Sequence, residues 1–490
     1  MAHVAVCGGS VAGLATALLL ARRGHDIVVL ERDPLDPHES LAQAESRPLR
    51  AGAPHAVQGH AYLSTAYRVL KEELPDVLDA MVSAEVRKIR RTDHMPLTIE
   101  DRSPMPGDED LIVLGSRRST LEWVLRQAAV AERRIELRTG VTVTGLLATD
   151  GTDPPRIRGV QLGSDTMHAH VTVDASGRQS KIAQWLAAIG AAPPPLESAE
   201  CGVLYYTRHA RLRQDAPRPP LPNGISSIIG YQTFAAVLFL ADNDTIMYGL
   251  AVFSEDPDLK AVRSAPAFEA AARLVPWLAP WLDCSEPITD VFAMGSVPNT
   301  LRRMVASGRP LAVGLHLVGD TTCTTNPTFG RGVSLALHQV QALARVLDQH
   351  PDDLKAQALV MDADVEAHIQ PWFDDQAMAD AARLAQMRRA FTGTAAAQPP
   401  DETPDKSAIT FQQVVSASAF DPVVWRAVVR RGMLLDLPDA WRRNEDVLER
   451  VRRVVEAGLR PAPLIEPPRE EIVAAVRAAA SPPTQASDSS

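Results

Sequence analysis

A chain of 490 residues, 46% hydrophobic and 22% charged, holds enough apolar material for two or three domains and needs no covalent staples. Sixty acidic against fifty basic side chains leave a formal charge of −10, which argues against a general attraction to nucleic acid or an anionic membrane. Cys7, Cys201, Cys284 and Cys323 follow no C-x-x-C or Cys/His spacing, so neither a disulfide framework nor a metal site is expected, and free thiols suit a reducing cytoplasm.

In chain order, His3 to Val6 reads as a short apolar strand, "CGGSVAG" as a tight turn, and Leu14 to Arg23 as a helix stopped by Gly24. The apolar run Leu14 to Ala21 has no basic segment ahead of it and is interrupted by glycines, so it reads as neither an export signal nor a membrane span. Ile27 to Leu30 is a second strand, ending in Glu31. This is a dinucleotide-binding unit: Gly8 permits the turn, the small Ser10 lets backbone approach a pyrophosphate, and Gly13 lets helix and strand pack closely. Glu31 stands where a carboxylate takes both ribose hydroxyls and repels a 2′-phosphate, so FAD or NAD is expected rather than NADP.

Residues 34 to 60 form a polar, proline-containing excursion. Further on, "HVTVDASGRQSKIAQWL" places Asp174, Ser176 and Gly177 at a strand end ahead of a helix, a feature for which a plain dehydrogenase has no obvious use. Between 185 and 300, runs such as "FAAVLFLA" and "TIMYGLAVF" are strand-like and are expected to build a sheet walling a substrate chamber. Leu315 to Val318 is another strand, ended by Gly319 and Asp320. Pro327, Gly330 and Gly332 then lead into a helix from Val333, whose unpaired amides favour developing negative charge such as a reduced flavin's N1 and C2 carbonyl edge. Asp320 is placed to accept from a ribityl hydroxyl. Beyond Asp353 the chain is helical, with a Pro, Ala and Thr-rich break at 393 to 405, helices again from about 408 to 479, and a tail expected to be disordered.

Three motifs in this order, "GGSVAGLATALLLARRGHDIVVLER", "DASG" and "GD…P…G.G", resemble the FAD-dependent monooxygenases of the aromatic-hydroxylase type. "SRRSTLEWVLRQAA" is similar to that family's Arg-x-x-Leu helix start and "TGVTVTGL" to a strand facing the adenine. The resemblance implies an α/β fold: a Rossmann-like FAD-binding domain of the glutathione-reductase type (1–184 and 301–352), an inserted β-sheet substrate domain (185–300) and a C-terminal helical region (353–479), followed by the tail (480–490). It further implies FAD contacts from Gly8, Gly9, Ser10, Val11, Ala12, Gly13, Glu31, Arg32, Arg118, Val143, Asp174, Gly177, Gly319, Asp320, Pro327, Gly330, Arg331 and Gly332. A subgroup, the oxidoreductases and epoxidases of bacterial specialised metabolism, antibiotic biosynthesis included, carries an Arg-x-Gly-x-Pro loop that "RAGAPHAVQGHAYL" resembles through Arg50, Gly52, Pro54 and His60, departing at His55, Ala56 and Gln58.

The implied chemistry is transfer of one oxygen atom from O2, through a flavin C4a-hydroperoxide, to a medium-sized hydrophobic metabolite, by aromatic hydroxylation or alkene epoxidation. No second glycine fingerprint exists, so NAD(P)H is expected as a visiting donor, or a separate reductase delivers reduced flavin. The cofactor carries the reaction, so no catalytic acid, base or nucleophile is assigned. A dehydrogenase or reductase of a polyketide- or isoprenoid-like substrate remains an alternative on the same scaffold. A halogenase is a weaker one, because the tryptophans lack the Trp-x-Trp-x-Ile-Pro spacing. Other conspicuous residues have ordinary readings: His55 and His60 as hydrogen-bonding loop residues, Tyr205 and Tyr206 on opposite faces of a strand, Trp277 and Trp281 as a packed cluster, and Met378 and Met387 as core or domain contacts.

Overall fold

The first strand, His3–Cys7, lies in the middle of a five-stranded parallel sheet in the order Leu315–Leu317, Val171–Asp174, His3–Cys7, Asp26–Glu31, Ile135–Thr139. The computed structural model describes residues 1–46, 50, 53–222, 226–295, 297–392, 409–463 and 465–480. The central strands are buried over nearly their whole length because helices cover one face of the sheet and a three-stranded antiparallel sheet (Gly145–Thr149, Arg156–Leu162, Asp165–His168) with the helix Ile182–Ala188 covers the other, so their sequences are continuous apolar runs rather than alternations. The helix Val11–Arg22 is likewise apolar nearly all round, being enclosed by the sheet and by the helices Arg118–Ala131 and Gly332–Gln349. Its fully buried Leu14, Leu18, Leu19 and Leu20 contribute on the order of 2 kcal/mol each. The strands Val171–Asp174 and Leu315–Leu317 are thus brought side by side from opposite ends of the 185–300 segment.

That segment folds into a second, antiparallel sheet in the order Ser226–Gly230, Phe234–Leu240, Thr245–Phe253, Val203–Leu212, Ser285–Pro287. Alternation along Val203–Leu212 sends Tyr206 into a core with Phe268 and Trp281, and Tyr205 to the other face, among Cys201, Val203 and Ala251. Trp281 is core, and Trp277 packs against that core while its indole N–H donates to the Tyr231 hydroxyl at 3.0 Å.

The helix Leu354–Asp364 runs through a π turn, Val365–Ile369, into Gln370–Thr392. Met387 packs with Phe253 and Leu384 as expected, whereas Met378 is 67% exposed and not core. The 411–480 segment adds the helices Phe411–Ala417, Pro422–Gly432, Glu445–Glu456 and Arg469–Ala480. The break at 393–405, the tail beyond 480 and Gly52 lie outside the described residues. Among the described residues no helix is long and apolar enough to cross a membrane.

Candidate functional site

Three glycine-bearing turns meet at the carboxyl end of the parallel sheet, the position where open α/β sheets bind ligands. In the first turn, Gly8 has φ +113°, and a Cβ on it would lie 2.5 Å from the carbonyl oxygen of Ala175 in the second. A Cβ on Gly13 would lie 1.8 Å from the Gly8 oxygen, so helix and turn are in backbone contact. The third turn closes the triangle. Gly319, at φ +66°, would place a Cβ 2.9 Å from the side chain of Ala12, and Gly177 donates its N–H to Thr321 Oγ1 at 2.9 Å. Segments near residues 10, 176 and 320 are therefore one surface.

Glu31, at the end of its strand, accepts from the amides of Gly9 (2.7 Å) and Asp33 (2.8 Å). Ser10 caps the helix start without bonding its amides. Its hydroxyl instead donates to Glu122 at 2.7 Å and accepts from Arg118 at 3.0 Å. Val11, Ala12 and Gly13 form the first helical turn, where backbone amides lack intrahelical acceptors. Asp174 is buried. It accepts from Ser176 N–H (2.9 Å) and from the hydroxyls of Ser176 and Ser180 (each 2.5 Å), which locks the turn carrying Gly177, while burial pushes its carboxyl pKa up.

Asn326 Oδ1 accepts from Thr328 N–H at 3.1 Å, fixing the short turn Pro327–Phe329, and Gly330, at φ +65°, ends it. Gly332 then begins an 18-residue helix. A Cβ there would meet nothing nearer than Asp320 Oδ1 at 3.9 Å, so the space over this glycine is open beside a carboxyl. Burial pushes the Asp320 pKa up and the Arg118 and Arg178 charges pull against it. The buried Arg118 guanidinium has an Nε that makes no hydrogen bond.

Two expected contacts are arranged differently. The Arg331 guanidinium turns away from this surface: it lies over the rings of Phe329 and Trp372 and pairs with Asp375 at 2.6 Å, leaving only its backbone at the helix start. Val143 is not in a strand. Residues 141–144 form a connection ahead of Gly145–Thr149, tied to the site by the Val141 N–H donating to the Glu31 carbonyl at 2.9 Å and to the strand Arg156–Leu162 by the Thr144 N–H donating to the Gln161 carbonyl at 2.8 Å. Arg32 is exposed beside Glu31.

Sequence reasoning assigned no role to Glu122 and none to the Arg50 guanidinium beyond its loop. The two pair directly, and Arg50 also reaches Asp33 (2.9 Å) and Glu31 (3.5 Å). These partners stand 17 to 72 residues apart, so no local spacing signals them.

Next to this surface, the antiparallel sheet and the Gln370–Thr392 helix enclose a mostly apolar cavity of about 60 Å³, with Val203, Val237, Met247, Met294 and Met387 in its wall. Pro327 and Thr328 close one end, so cavity and glycine surface share a boundary. Its polar groups are few. Tyr205 bonds to Asn326 and Thr328, Thr207 donates to Gln58 Oε1 at 2.7 Å, and Arg383 pairs with the buried Asp380. His60 stands nearby with Nδ1 at 2.8 Å from the Gln58 carbonyl. Burial, with the Arg118 charge, lowers its pKa to about 3.

Residues 3–92 match the family described as FAD dependent oxidoreductase. Protein Rv3254 of Mycobacterium tuberculosis is 24% identical over 464 residues, 89% of this chain and 90% of that protein. Among solved structures, PqsL, "a probable FAD-dependent monooxygenase" of Pseudomonas aeruginosa, superposes with a TM-score of 0.57 at 15% identity over 80% of this chain and 99% of its own. The flavin-dependent brominase Bmp2 superposes with a TM-score of 0.58 at 15% identity over 93% and 99%. At such identities the likeness establishes the fold.

Proposed function

We propose that this FAD-dependent oxidoreductase, which has the fold of the flavin monooxygenases, inserts one oxygen atom from O2 into a medium-sized hydrophobic metabolite by aromatic hydroxylation or alkene epoxidation. The observation that carries the reading is the boundary shared by the glycine surface and the apolar cavity at Pro327 and Thr328. A flat ring laid on the backbone at Gly330 to Gly332 would present its edge to whatever occupies the cavity.

The residues fit FAD on two observations: Arg118 Nε is buried without a hydrogen-bond partner, and the space over Gly177 and Gly332 is open where Gly8, Gly9, Gly13 and Gly319 are crowded. In this reading Gly8 to Gly13 and Arg118 hold the pyrophosphate, Glu31 takes the ribose hydroxyls, Val143 and Arg32 border the adenosine, and Asp320 accepts from the ribityl chain. Gly177, Gly319, Pro327 and the amides at Gly330, Arg331 and Gly332 surround the ring, with Asp174 holding the Gly177 turn. Bound FAD supplies the redox chemistry, taking electrons from NAD(P)H or arriving reduced from a partner reductase. The chain's own part is to exclude water and hold the substrate.

At about 60 Å³ the cavity is smaller than a typical ligand site, but Met247, Met294 and Met387 are unbranched and yield to an apolar guest. Such chemistry suits bacterial specialised metabolism, antibiotic biosynthesis included. The experiment is to supply the FAD-loaded chain with an electron donor, a panel of aromatic and polyene substrates, and isotopically labelled O2. Label in the product supports oxygen insertion; unlabelled desaturated product replaces the reading with a dehydrogenase, and bromide-dependent products replace it with a halogenase.

A further inference from the structure

Away from the glycine surface, three ligating side chains converge where the helix Gly332–Gln349 crosses the π turn. His338 Nε2 lies 3.1 Å from Asp364 Oδ2, and His368 Nδ1 lies 3.1 Å from Asp364 Oδ1. The two imidazole rings are 5.0 Å apart between centroids, and one ligand atom from each of the three residues falls within 4.8 Å of the other two. The arrangement depends on local geometry: Asp364 ends an α-helix, His368 sits in the widened turn four residues on, and His338 comes from a separate helix. Single π turns inside α-helices commonly mark functional positions.

The chemistry of the donors is selective. Two imidazoles and one carboxylate suit a borderline divalent ion; tetrahedral zinc with bonds of about 2.0–2.1 Å needs donor atoms about 3.4 Å apart, which the 4.8 Å spread of the three reaches by a modest inward turn of the side chains. Side-chain exposures of 20%, 15% and 49% leave an entry path on the His368 side. Both histidines also line a cavity of about 110 Å³, with Thr65 and Asp436 across it, enough for a water or other fourth ligand.

We propose that His338, Asp364 and His368 form a binding site for a divalent transition-metal ion, zinc being the best match. An ion there would clamp the helix that begins at Gly332 to the one that carries Asp380, Arg383 and Met387 on the cavity wall. The site is structural or regulatory, with no part in the redox chemistry, and it stands whether or not the oxygenase reading does.

The test is titration of the chelator-treated full-length chain with Co²⁺, followed by its ligand-field spectrum, then displacement with Zn²⁺. One Co²⁺ per chain with a four- or five-coordinate spectrum is expected. His338→Ala and His368→Ala should each weaken binding roughly 100-fold, at or beyond the upper range for loss of a supporting partner, without altering FAD content. Because His368 is half exposed, its variant keeps the test valid even if His338→Ala folds poorly. The His170→Ala variant, which breaks the other close histidine pair at His3, should bind as the wild type does. Non-saturable binding, or saturable binding indifferent to both site variants, would show that the cluster is only a hydrogen-bonded His–Asp–His contact and would overturn the proposal.

Discussion

The phenol of Tyr205 donates a hydrogen bond to the side-chain carbonyl of Asn326, 121 residues further along the chain. Asn326 Nδ2 in turn donates to both oxygens of Asp380, at 2.9 and 3.0 Å, so the cavity wall, the glycine surface and the C-terminal helix are joined through one asparagine. Burial pushes the phenol pKa far above its ordinary value, which keeps Tyr205 a neutral donor at any working pH. In Tyr205→Phe the Asn326 oxygen loses that donor and the Thr328 hydroxyl loses its phenol partner, at a stability cost of about 1–2 kcal/mol. The expected outcome is unchanged FAD content with a larger fraction of NAD(P)H oxidised without product, measured as peroxide released per turnover.

Asp380 is fully buried and receives donors from Asn299 (2.8 Å), Asn326, Gln376 (3.1 Å) and Arg383 (2.7 Å). Removing one member of a buried charged cluster strands the others. Asp380→Ala should therefore cost about 3–5 kcal/mol in denaturant unfolding, whereas Asp375→Ala, whose carboxylate is less enclosed, should cost less.

Glycine substitutions separate packing from ligand contact. At Gly13 a methyl would collide with the Gly8 carbonyl, a backbone atom that cannot swing aside. Gly13→Ala should lose about 1–3 kcal/mol and retain little FAD. At Gly177 nothing lies within 4 Å, and the cost of Gly177→Ala is that of φ +82° alone, about 1–2 kcal/mol. Paired thermal melts of the two variants distinguish the causes.

Acid should destabilise the fold through buried neutral histidines. Burial lowers the His316 pKa to about 4, against about 6.5 in the unfolded chain, and the ring is 2% exposed. Between these values the unfolded state binds the proton and the native state does not, so stability falls as pH drops from about 6.5 to 4. At pH 5 the loss is on the order of 1–2 kcal/mol from this residue. The raised carboxyls of Asp174 and Asp320 act in the opposite sense and soften the slope. His316→Gln should flatten unfolding free energy against pH across this window.

What could be read from sequence was what is local. The turn at Gly8 to Gly13, its helix and the Glu31 strand lie within thirty residues, and each position is constrained by backbone geometry that only certain residues satisfy. The alternation that separates Tyr205 from Tyr206 is equally local. The direction of the Arg331 side chain was not legible, because its partners, Trp372 and Asp375, belong to a later helix and no spacing near residue 331 announces them. The strand at Val143 was carried over from a resemblance of "TGVTVTGL", whereas here regular pairing begins only at Gly145, two residues later. The Arg50, Glu31, Asp33 and Glu122 cluster, and the meeting of His338 with Asp364 and His368, depend on how helices cross, which periodicity does not encode.

The central claim is that a flavin ring lies on the backbone at Gly332, and FAD titration of the full-length wild-type chain beside Gly332→Val tests it most directly. A Cβ there would meet nothing nearer than Asp320 Oδ1 at 3.9 Å, so the variant should fold, as a thermal melt would check, and oppose a bound ring. The expected result is one FAD per wild-type chain and binding weakened at least roughly 10-fold, about 1.4 kcal/mol, in the variant. A wild-type chain that takes up no FAD, or a Gly332→Val chain that binds it equally well, would contradict the account.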